Sequence, residues 1–515
     1  MRLPVVASLV VTGACGGSAA PPPNTTLLAS PRVDIPMSDP HEYAIDRISR
    51  DAGKAIFERT GIGDPYRTGV PYPIFLALLA AFPDVFGADT AELAGKFGLI
   101  PRAADPASKD PDLRAGLPVG MHLTIDPITN VPFVVNNCTM CHAEKLRWRG
   151  VGDEHDREAL VIGLGNKRVR VHAYDRAYSE IVKRPQFTAD KLGRLAAEAA
   201  ATHQITWPDE YRAAFIGAAM SELTKRAAQR AELHTKTSLD PPGRVATIES
   251  FTLVLGQLTG KQLAYAPIVG WAKVPDVIGY GQRTTLSWDG SGEGPIDLLA
   301  VEADVAAGVR IEWLEAHPFQ GASLGAYLRQ PAKRPAFPGS VDRAKAERGR
   351  VAFEEHCRGC HGHYAPDGRV LDYDEAIIPI EDLGVDPARM MAATEEFERA
   401  ANDPKLTRGY TKFRRSKGYV PPVLTNVWAR APYGHAGQWP TLAVLATAPA
   451  RRPAKFVVTD GLYDLAGVGV PWSASSQVSG FVHDGAKPGF STLGHPFLAD
   501  LGADAGAVIE YLKTL

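Results

Sequence analysis

Two short motifs in this chain share one arrangement of cysteine and histidine, and they constrain the fold more than any other feature. Residues 134–145 read VVNNCTMCHAEK, and residues 354–364 read EEHCRGCHGHY. In both motifs two residues separate the cysteines, and a histidine follows the second cysteine directly. Four of the chain's five cysteines lie in these motifs, so no framework of disulfides is expected. Each motif therefore predicts a place where two thiols and one imidazole meet.

The Cys-x-x-Cys-His arrangement is the attachment sequence of c-type haem. Each thiol adds to one vinyl group of the porphyrin, and the histidine binds the iron as the proximal ligand. Two Cys-x-x-Cys pairs could instead form a zinc site, and one pair could be a redox dithiol, but neither requires the histidine in both copies. We therefore predict two covalently bound haem c groups with their irons. Their attachment residues are Cys138, Cys141 and His142 for the first haem, and Cys357, Cys360 and His361 for the second.

The first 23 residues differ in composition from the rest of the chain. They contain one arginine, a short apolar stretch from Leu3 to Val11, and then small residues ending at Cys15. This order is typical of an export signal. The sequence TGAC followed by GGSAAPPP resembles a bacterial lipoprotein cleavage site, and a plain secretory signal with an incidental cysteine is the alternative. Because c-type haem is attached outside the cytoplasm, we expect a periplasmic protein with Cys15 as a candidate lipid anchor.

The composition excludes some classes of protein. The formal net charge of the 515 residues is −2, which argues against a general nucleic-acid binder. After the N-terminus, no apolar run approaches the roughly 18–20 residues needed to cross a bilayer. The many glycines (49) and prolines (41) predict long loops, and the length is enough for two or three domains.

The second motif follows a segment that is typical of a helix. In SVDRAKAERGRVAFEEHC, Ala344, Gly349 and Phe353 recur at helical spacing after a capping residue at Ser340 or Asp342. The chain ends in ADAGAVIEYLKTL, a second candidate helix. In a cytochrome c fold the last helix packs across the first, and Gly349 would permit close approach. The proline-rich residues 329–340 read as the linker before this domain.

These segments predict a mainly α fold with two cytochrome c-like haem domains, long loops and an enlarged N-terminal domain. The expected parts are a signal or lipoprotein segment with its linker (1–23), an N-terminal haem c domain (24–335) and a C-terminal cytochrome c domain (336–515). Helices are predicted within 187–205 and 209–234, and a buried helix within 72–86. The segment 386–401, DPARMMAATEEFERAA, also reads as a helix with a buried face.

Several stretches resemble a known superfamily. PPVLTNVWARAPYGHAGQWPTL (421–442) resembles the signature of bacterial di-haem cytochrome c peroxidases, and TTLSWDG (284–290) resembles their Phe-Trp-Asp-Gly segment. CHGHYAPDG, LGVDPARM and RRPAKF are more similar to the rubber-oxygenase-like branch of that superfamily. The resemblance covers most of the chain from about residue 65 onward. It is specific for the superfamily, less so for the branch, and names no substrate.

The resemblance implies different roles for the two haems. The C-terminal haem, on His361, would pass electrons, and the N-terminal haem, on His142, would meet peroxide or dioxygen. Trp288 would lie between them as an electron relay, with a buried core tryptophan as the alternative. A glutamate after the Trp-Asp-Gly segment would act as general acid and base on peroxide. Glu302 is our candidate for this role and Glu293 the other; solvent-exposed carboxylates are the alternative for both.

The second haem needs a sixth ligand, and the family's usual methionine is missing. The matched position falls at or near Pro449. We expect His495, in STLGHPF, to be this ligand, and two histidines lower a haem's potential relative to a methionine. The weaker candidates are His435, His483, Met390 and Met391. For the first haem, an enzyme needs an open distal site; His155 and His172 follow the motif most closely, and we expect both to be surface or core residues.

The sequence therefore favours an exported di-haem c-type oxidoreductase that uses peroxide or dioxygen at the N-terminal haem. Its partners would be that oxidant and either a small electron-donor protein or an organic substrate. The alternative is a non-enzymatic di-haem electron-transfer cytochrome. A protein ligand facing His142 across the first haem would favour the alternative.

Overall fold

The computed structural model describes residues 40–150, 152–277, 280–330 and 335–515. The export segment with Cys15, and part of the predicted linker, lie outside these ranges. The described chain is about 44% helix and 12% strand, so the predicted mainly α class is confirmed. None of the helices in the described ranges is long and apolar enough to cross a membrane.

The longer helices supply most of the packed surfaces. They are α1 (Pro40–Arg59), α2 (Tyr72–Ala81), α3 (Thr90–Phe97), α4 (Val171–Ile181), α5 (Ala189–Thr202), α6 (Asp209–Gln229), α7 (Thr247–Thr259), α8 (Ile296–Ala306), α9 (Gln320–Leu328), α10 (Arg343–His356) and α11 (Ala505–Leu512). Shorter α-helical segments are Pro65–Thr68, Pro83–Phe86, Pro111–Arg114, Ala231–Lys236, Ile311–Ala316, Arg358–His361, Ile380–Leu383, Ala388–Met391, Glu395–Ala401, Pro404–Thr407, Leu442–Leu445 and Phe497–Asp500. Single 3₁₀ turns cover Cys138–Met140, Tyr280–Gln282, Val427–Arg430, Pro449–Arg451 and Gly502–Asp504.

The strands form small antiparallel sheets that fix loops. The longer ones are β1 (Met121–Ile125), β2 (Pro132–Asn136), β3 (Ala143–Trp148), β4 (Arg157–Ile162), β5 (Lys455–Val458) and β6 (Phe481–Asp484). β1 pairs with β2, β3 with β4, and β5 with β6. The short strands are Val70–Pro71, Arg244–Val245, Ala272–Lys273, Thr285–Leu286, Gly292–Glu293, His363–Tyr364, Val370–Asp372, Ile378–Pro379, Gly418–Tyr419 and Trp472–Ser473.

The helix pair predicted for the C-terminal domain is present. The Asp342 side chain caps α10 by accepting a hydrogen bond from the Lys345 N–H at 2.9 Å. α10 packs directly against α11. A Cβ on Gly349 would lie 1.9 Å from the carbonyl oxygen of Ala507, so only glycine permits this crossing. α10 then leads directly into Cys357, as the sequence indicated.

The helix predictions in the N-terminal part are confirmed, with one break. The residues of 187–205 form α5, which Thr188 caps, and those of 209–234 form α6 and the start of a shorter helix. The buried segment 72–86 is interrupted at Phe82, because Pro83 cannot continue the hydrogen-bonding of α2.

The prediction of one helix over 386–401 is wrong. Two short helices occupy it, Ala388–Met391 and Glu395–Ala401. Thr394 has extended backbone, and its side chain accepts a hydrogen bond from the Phe397 N–H at 3.1 Å. This N-cap starts a second helix and ends the first.

The hydrophobic cores connect the two parts of the chain. One core belongs to the N-terminal part and includes α2 and α5. A second core contains Phe353 and Val508 of the C-terminal pair together with Leu146 and Val161 from the β3–β4 hairpin. The hairpin follows the first cysteine motif, so it holds that motif against the C-terminal core. The predicted domain boundary at residue 335 stays a prediction.

Candidate haem sites

The second motif forms a single helical turn at the end of α10. The Cys357 carbonyl accepts hydrogen bonds from the N–H groups of Cys360 (3.1 Å) and His361 (3.0 Å). This turn places both sulfurs and the imidazole along one cavity of about 310 Å³. The cavity wall is mostly apolar, with Val385, Val427, Leu442, Leu445, Leu498 and Val508 among its lining residues. An apolar chamber with two thiols and an imidazole in its wall fits a covalently held porphyrin.

His361 and His495 face each other in this cavity. His361 Nδ1 lies 2.9 Å from the Pro422 carbonyl oxygen, a contact that fixes the ring and leaves Nε2 free. The two ring centroids are 6.2 Å apart. Metal–imidazole bonds of about 2.0–2.1 Å would put two rings on opposite sides of one ion at about 6 Å. The separation therefore fits a single metal ion between the two rings.

The electrostatics of the two rings agree with ligation. Burial lowers the pKa of His361, and it lowers the pKa of His495 to about 3. Both rings are therefore neutral near pH 7, as metal ligands must be. The buried Nδ1 of His495 also has no hydrogen-bond partner among the described residues. Because no hydrogen bond at Nδ1 holds the His495 ring, the ring is free to bind a group in the cavity.

The weaker candidates for the sixth ligand are placed differently. His435 also lines the cavity, but it stacks on Tyr419 with centroids 4.3 Å apart, and its Nδ1 lies 3.0 Å from Gln438 Nε2. His483 is buried outside the cavity wall, with Nε2 2.8 Å from the Phe490 carbonyl oxygen. Met391 is 59% exposed. Among the candidates, only His495 opposes His361, which is the arrangement that the sequence predicted.

The first motif repeats the local geometry of the second. The Cys138 carbonyl accepts hydrogen bonds from the N–H groups of Cys141 (3.3 Å) and His142 (2.9 Å). His142 Nδ1 lies 2.9 Å from the Pro275 carbonyl oxygen, as His361 does from that of Pro422. Burial lowers the pKa of His142 to about 4 and raises that of Cys141 to about 12. The same donor set on the same scaffold fits a second covalently held haem.

The two motifs do not combine into a metal site of their own. Within the described residues, no group of three or more histidine, cysteine or carboxylate side chains could hold a metal ion. The zinc alternative would need the cysteines of both motifs, or one pair with nearby histidines, around one ion. The structure therefore disfavours a zinc site in the described part of the chain.

The ring that accompanies His142 is a phenyl. Phe57, near the end of α1, has its centroid 6.2 Å from that of His142, at a tilt of 45°. No histidine in the described ranges pairs with His142 as His495 pairs with His361. His172 is buried on α4 and accepts a hydrogen bond from the Ala246 N–H at 2.9 Å, so it is a core residue as expected. Phe57 carries no ligating atom, and sequence reasoning missed it because no motif surrounds it.

The carboxylates near these sites are buried. Glu302 is 2% exposed, and burial raises its pKa to about 8; exposure to solvent, the alternative considered for it, is wrong. It lies against Gly292, where an added Cβ would come 2.9 Å from Oε1. Glu293 is half-buried and ion-paired with Arg414 at 3.0 Å. Neither carboxylate contacts the first motif in the described structure.

Asp304, on the same helix as Glu302, is the carboxylate that acts on the first motif. Burial raises the pKa of the Cys138 thiol, and the charge of Asp304 raises it further. Burial raises the pKa of Asp304 itself to about 7, and Gln320 donates a hydrogen bond to its Oδ2 at 3.2 Å. Side chains that are two positions apart on a helix point in different directions. Glu302 and Asp304 therefore cannot serve the same site. Both acids are visible in the sequence VEADVA (301–306). Only the geometry of the helix shows which of them points towards the first motif.

Trp288 lies beside the prolines that contact the two proximal histidines, and it also lines the second cavity. It lines a small cavity of about 30 Å³ together with Pro275 and Pro422, the residues whose carbonyls contact His142 and His361. Its indole N–H donates to the Lys273 carbonyl at 2.8 Å, and its own carbonyl accepts from the Val420 N–H at 2.9 Å. The role of Trp288 as a relay stays a prediction.

A buried lysine accompanies Trp288. Lys273 Nζ lies 5.5 Å from the centroid of the Trp288 ring and donates to the carbonyls of Arg430 (2.6 Å) and Pro432 (2.8 Å). Burial lowers the pKa of Lys273 to about 7, although the nearby Asp276 acts in the opposite direction. A cation over an indole ring stabilises the electron-rich ring and opposes its oxidation.

Comparison with known proteins supports the second site. Residues 418–457, which supply much of the wall of the second cavity, match the family described as RoxA-like, cytochrome c-like. The match indicates a cytochrome c-like domain in the C-terminal part with covalent haem binding, and it supports the resemblance to the rubber-oxygenase-like branch. The matched residues lie beside the second site and do not include the first motif.

Two curated relatives share more of the chain. The uncharacterized protein y4iM of Sinorhizobium fredii is 27% identical over 302 residues, which cover 48% of this chain and 65% of that protein. The uncharacterized protein y4iJ of the same organism is 24% identical over 251 residues, covering 36% and 41%. The chain thus spans less than two-thirds of the length of these relatives, and their names assign no activity.

Proposed function

We propose that this protein is a periplasmic di-haem c-type oxidoreductase with one reactive haem and one electron-transfer haem. The observation that carries the proposal is the contrast between the two motifs. His361 is opposed by the imidazole of His495, whereas the ring beside His142 is the phenyl of Phe57. Two protein ligands favour electron transfer, and a site with one protein ligand can bind an oxidant. The likeness of residues 418–457 to a RoxA-like cytochrome domain agrees with this class.

The haems would be held by the residues that the geometry brings together. Cys138, Cys141 and His142 would hold the first, and Cys357, Cys360, His361 and His495 the second. When bound, haem iron supplies the oxidising chemistry, and the protein supplies ligation, polarity and access. The carbonyls of Pro275 and Pro422 would keep the Nδ1 protons of His142 and His361, so that each Nε2 is left for the iron.

Asp304 is the residue that we assign to proton exchange at the first site, in place of Glu302. Its pKa of about 7 lets it hold or release a proton near neutral pH. Gln320 holds Oδ2 by a hydrogen bond at 3.2 Å, which leaves the other carboxylate oxygen for a substrate or water. Glu302, the candidate from the sequence resemblance, stays a prediction; its side chain lies against Gly292.

Trp288 would carry electrons between the sites. It lines the second cavity together with His361, and it shares a small cavity with the two prolines whose carbonyls hold the proximal histidines. An electron that reaches the second site would pass through this indole to the first. The external source would be a small donor protein or an organic substrate, and the oxidant would be peroxide or dioxygen. The predicted lipid anchor at Cys15 lies outside the described residues and remains part of the proposal.

The alternative, a non-enzymatic electron carrier, rests on the His361–His495 pair alone. Turnover and carbon monoxide binding, measured in variants that each lose one haem, distinguish the two functions. In C138A–C141A and C357A–C360A, we expect peroxide reduction or dioxygen uptake with an electron donor to disappear from both. Carbon monoxide binding should disappear only from C138A–C141A. If the wild-type protein with both haems turns over neither oxidant, the electron-carrier function stands instead.

A further inference from the structure

One arginine is buried beneath the loop that carries His495. Arg452 is 5% exposed, and no carboxylate in the described ranges forms an ion pair with it. All five of its N–H groups donate to backbone carbonyls instead. The acceptors are the carbonyls of Thr447 (2.8 Å), Leu445 (2.9 Å), Thr492 (3.2 Å), Gly494 (2.5 Å) and His495 (3.1 Å).

These five acceptors belong to two separate parts of the chain. Leu445 and Thr447 lie at the end of the short helix Leu442–Leu445 on one side of the second cavity. Thr492, Gly494 and His495 lie in the loop on the facing side. One planar guanidinium therefore joins the cavity wall to the loop of the candidate ligand. A lysine could not do this, because its single ammonium cannot donate in five fixed directions.

The loop does not hold its conformation by itself. His495 has φ of +44°, in the left-handed region that non-glycine residues avoid. Its N–H donates to the Leu383 carbonyl at 2.7 Å, and Trp439 Nε1 donates to the Thr492 carbonyl at 2.9 Å. A residue keeps such a backbone only where its surroundings impose it. Arg452 supplies three of the hydrogen bonds that impose it.

We propose that Arg452 is the positioning residue that keeps His495 opposite His361. This inference rests on the proposed function, because it takes His495 as the second axial ligand. Arg452 acts through the backbone of residues 492–495 and does not touch the imidazole. Without it, the loop loses its link to the cavity wall, and the second site loses its sixth ligand.

The test compares the variants R452M and R452K with a matched control in the purified di-haem protein. Arg244 is the control, because it is 3% exposed and donates to the carbonyls of Pro242, Ala436 and Gly437, with no contact to residues 492–495. Burial lowers the pKa of both arginines to about 10, so replacing either one by methionine removes a similar buried cation. The readouts are the absorption and EPR spectra, with and without carbon monoxide and added imidazole.

In R452M and R452K we expect more than half of the second haem to become high-spin and to bind carbon monoxide, with added imidazole restoring the low-spin spectrum. R244M should keep the native spectrum. A native spectrum in both Arg452 variants, or the same change in R244M, would overturn the inference. R452K keeps the charge and the aliphatic stem, so it carries the test if R452M does not fold. The variant H495A separates the two proposals, because a low-spin second haem in H495A would remove the ligand assignment itself.

Discussion

The two Cys-x-x-Cys-His motifs are built alike and differ in what faces them. In both, the first cysteine's carbonyl closes the turn, and the histidine contacts a proline carbonyl at 2.9 Å. Each histidine has an aromatic ring with its centroid 6.2 Å away, but that ring is His495 at the second motif and Phe57 at the first. In the proposed function, the motif determines attachment and the proximal ligand, whereas residues more than 80 positions away would determine reactivity.

The change F57H would remove the contrast and should have the largest effect. A histidine at this position offers the first haem a sixth ligand, as His495 does for the second. We expect a second low-spin spectrum, loss of carbon monoxide binding and turnover at background level. F57L is the control, since it keeps an apolar side chain without a ligating atom, and it should retain ligand binding. Continued carbon monoxide binding in F57H would mean that Phe57 does not face the iron.

The change H495M would alter the second site while keeping it six-coordinate. Methionine ligation raises haem potential relative to histidine, and we expect a rise on the order of 100 mV, within the range of about 0.8 V that axial ligands span. Spectroelectrochemical titration of both haems measures it. H435Q changes another residue of the same cavity wall and should leave both potentials close to native. An equal shift in H435Q would show that cavity polarity, and not ligation, sets the potential.

The change W288F tests the link between the two sites. Both haem spectra should stay native, because Trp288 is no candidate ligand and phenylalanine keeps an aromatic ring in the wall of the second cavity. Transfer from the second haem to the first should slow by about tenfold, which corresponds to about 1.4 kcal/mol of barrier. Flash photolysis of the half-reduced carbon monoxide complex measures this step. An unchanged rate in W288F would make Trp288 a core residue, the alternative that the sequence left open.

The change D304N should have a smaller effect, visible as a difference in pH dependence. Burial raises the pKa of Asp304 from 3.8 to about 7, so the folded state binds a proton that the unfolded state releases. Its stabilising contribution is complete below pH 4 and is lost as pH rises through 7. The free energy of unfolding falls by up to about 4 kcal/mol over this range, at about 1.4 kcal/mol for each unit of pKa difference.

Urea unfolding of the holoprotein at pH 5 and pH 8 measures this dependence. In D304N the free energy of unfolding should differ less between pH 5 and pH 8 than it does in the wild type. The variant should also have a lower turnover of peroxide. E293Q is the matched control, because the Glu293 carboxylate is ion-paired with Arg414 and lies away from the first motif. If D304N and wild type lose equal stability between pH 5 and pH 8, Asp304 is not the buried acid that we describe.

The sequence predicted the parts of this molecule that depend on short spacing. The two haem motifs, the α10–α11 pair around Gly349 and the His495 candidate all come from local patterns. The structure confirms the helix pair, and the haem ligands stay predictions. The segment 386–401 was mispredicted because the capping effect of Thr394 outweighed a continuous helical pattern. The two-residue strands carry no periodic signal, since tertiary contacts determine them.

The residues that distinguish the two sites could not be predicted in the same way. Phe57 reaches His142 because α1 packs on α9, and nothing in its own neighbourhood indicates that contact. Asp304 and Glu302 are equivalent as sequence letters, and only the direction of each side chain separates them. Arg452 was visible as part of RRPAKF, but its five carbonyl acceptors come from chain segments up to 43 residues away.

The contrast between the two sites is tested most directly by EPR and absorption titration of the purified holoprotein, oxidised and reduced, with carbon monoxide. The account predicts one low-spin haem with two imidazole ligands and one high-spin haem that binds carbon monoxide. It also predicts that F57H converts the high-spin haem at His142 into a low-spin haem. Two low-spin haems that bind nothing in any redox state would contradict the account and identify an electron carrier.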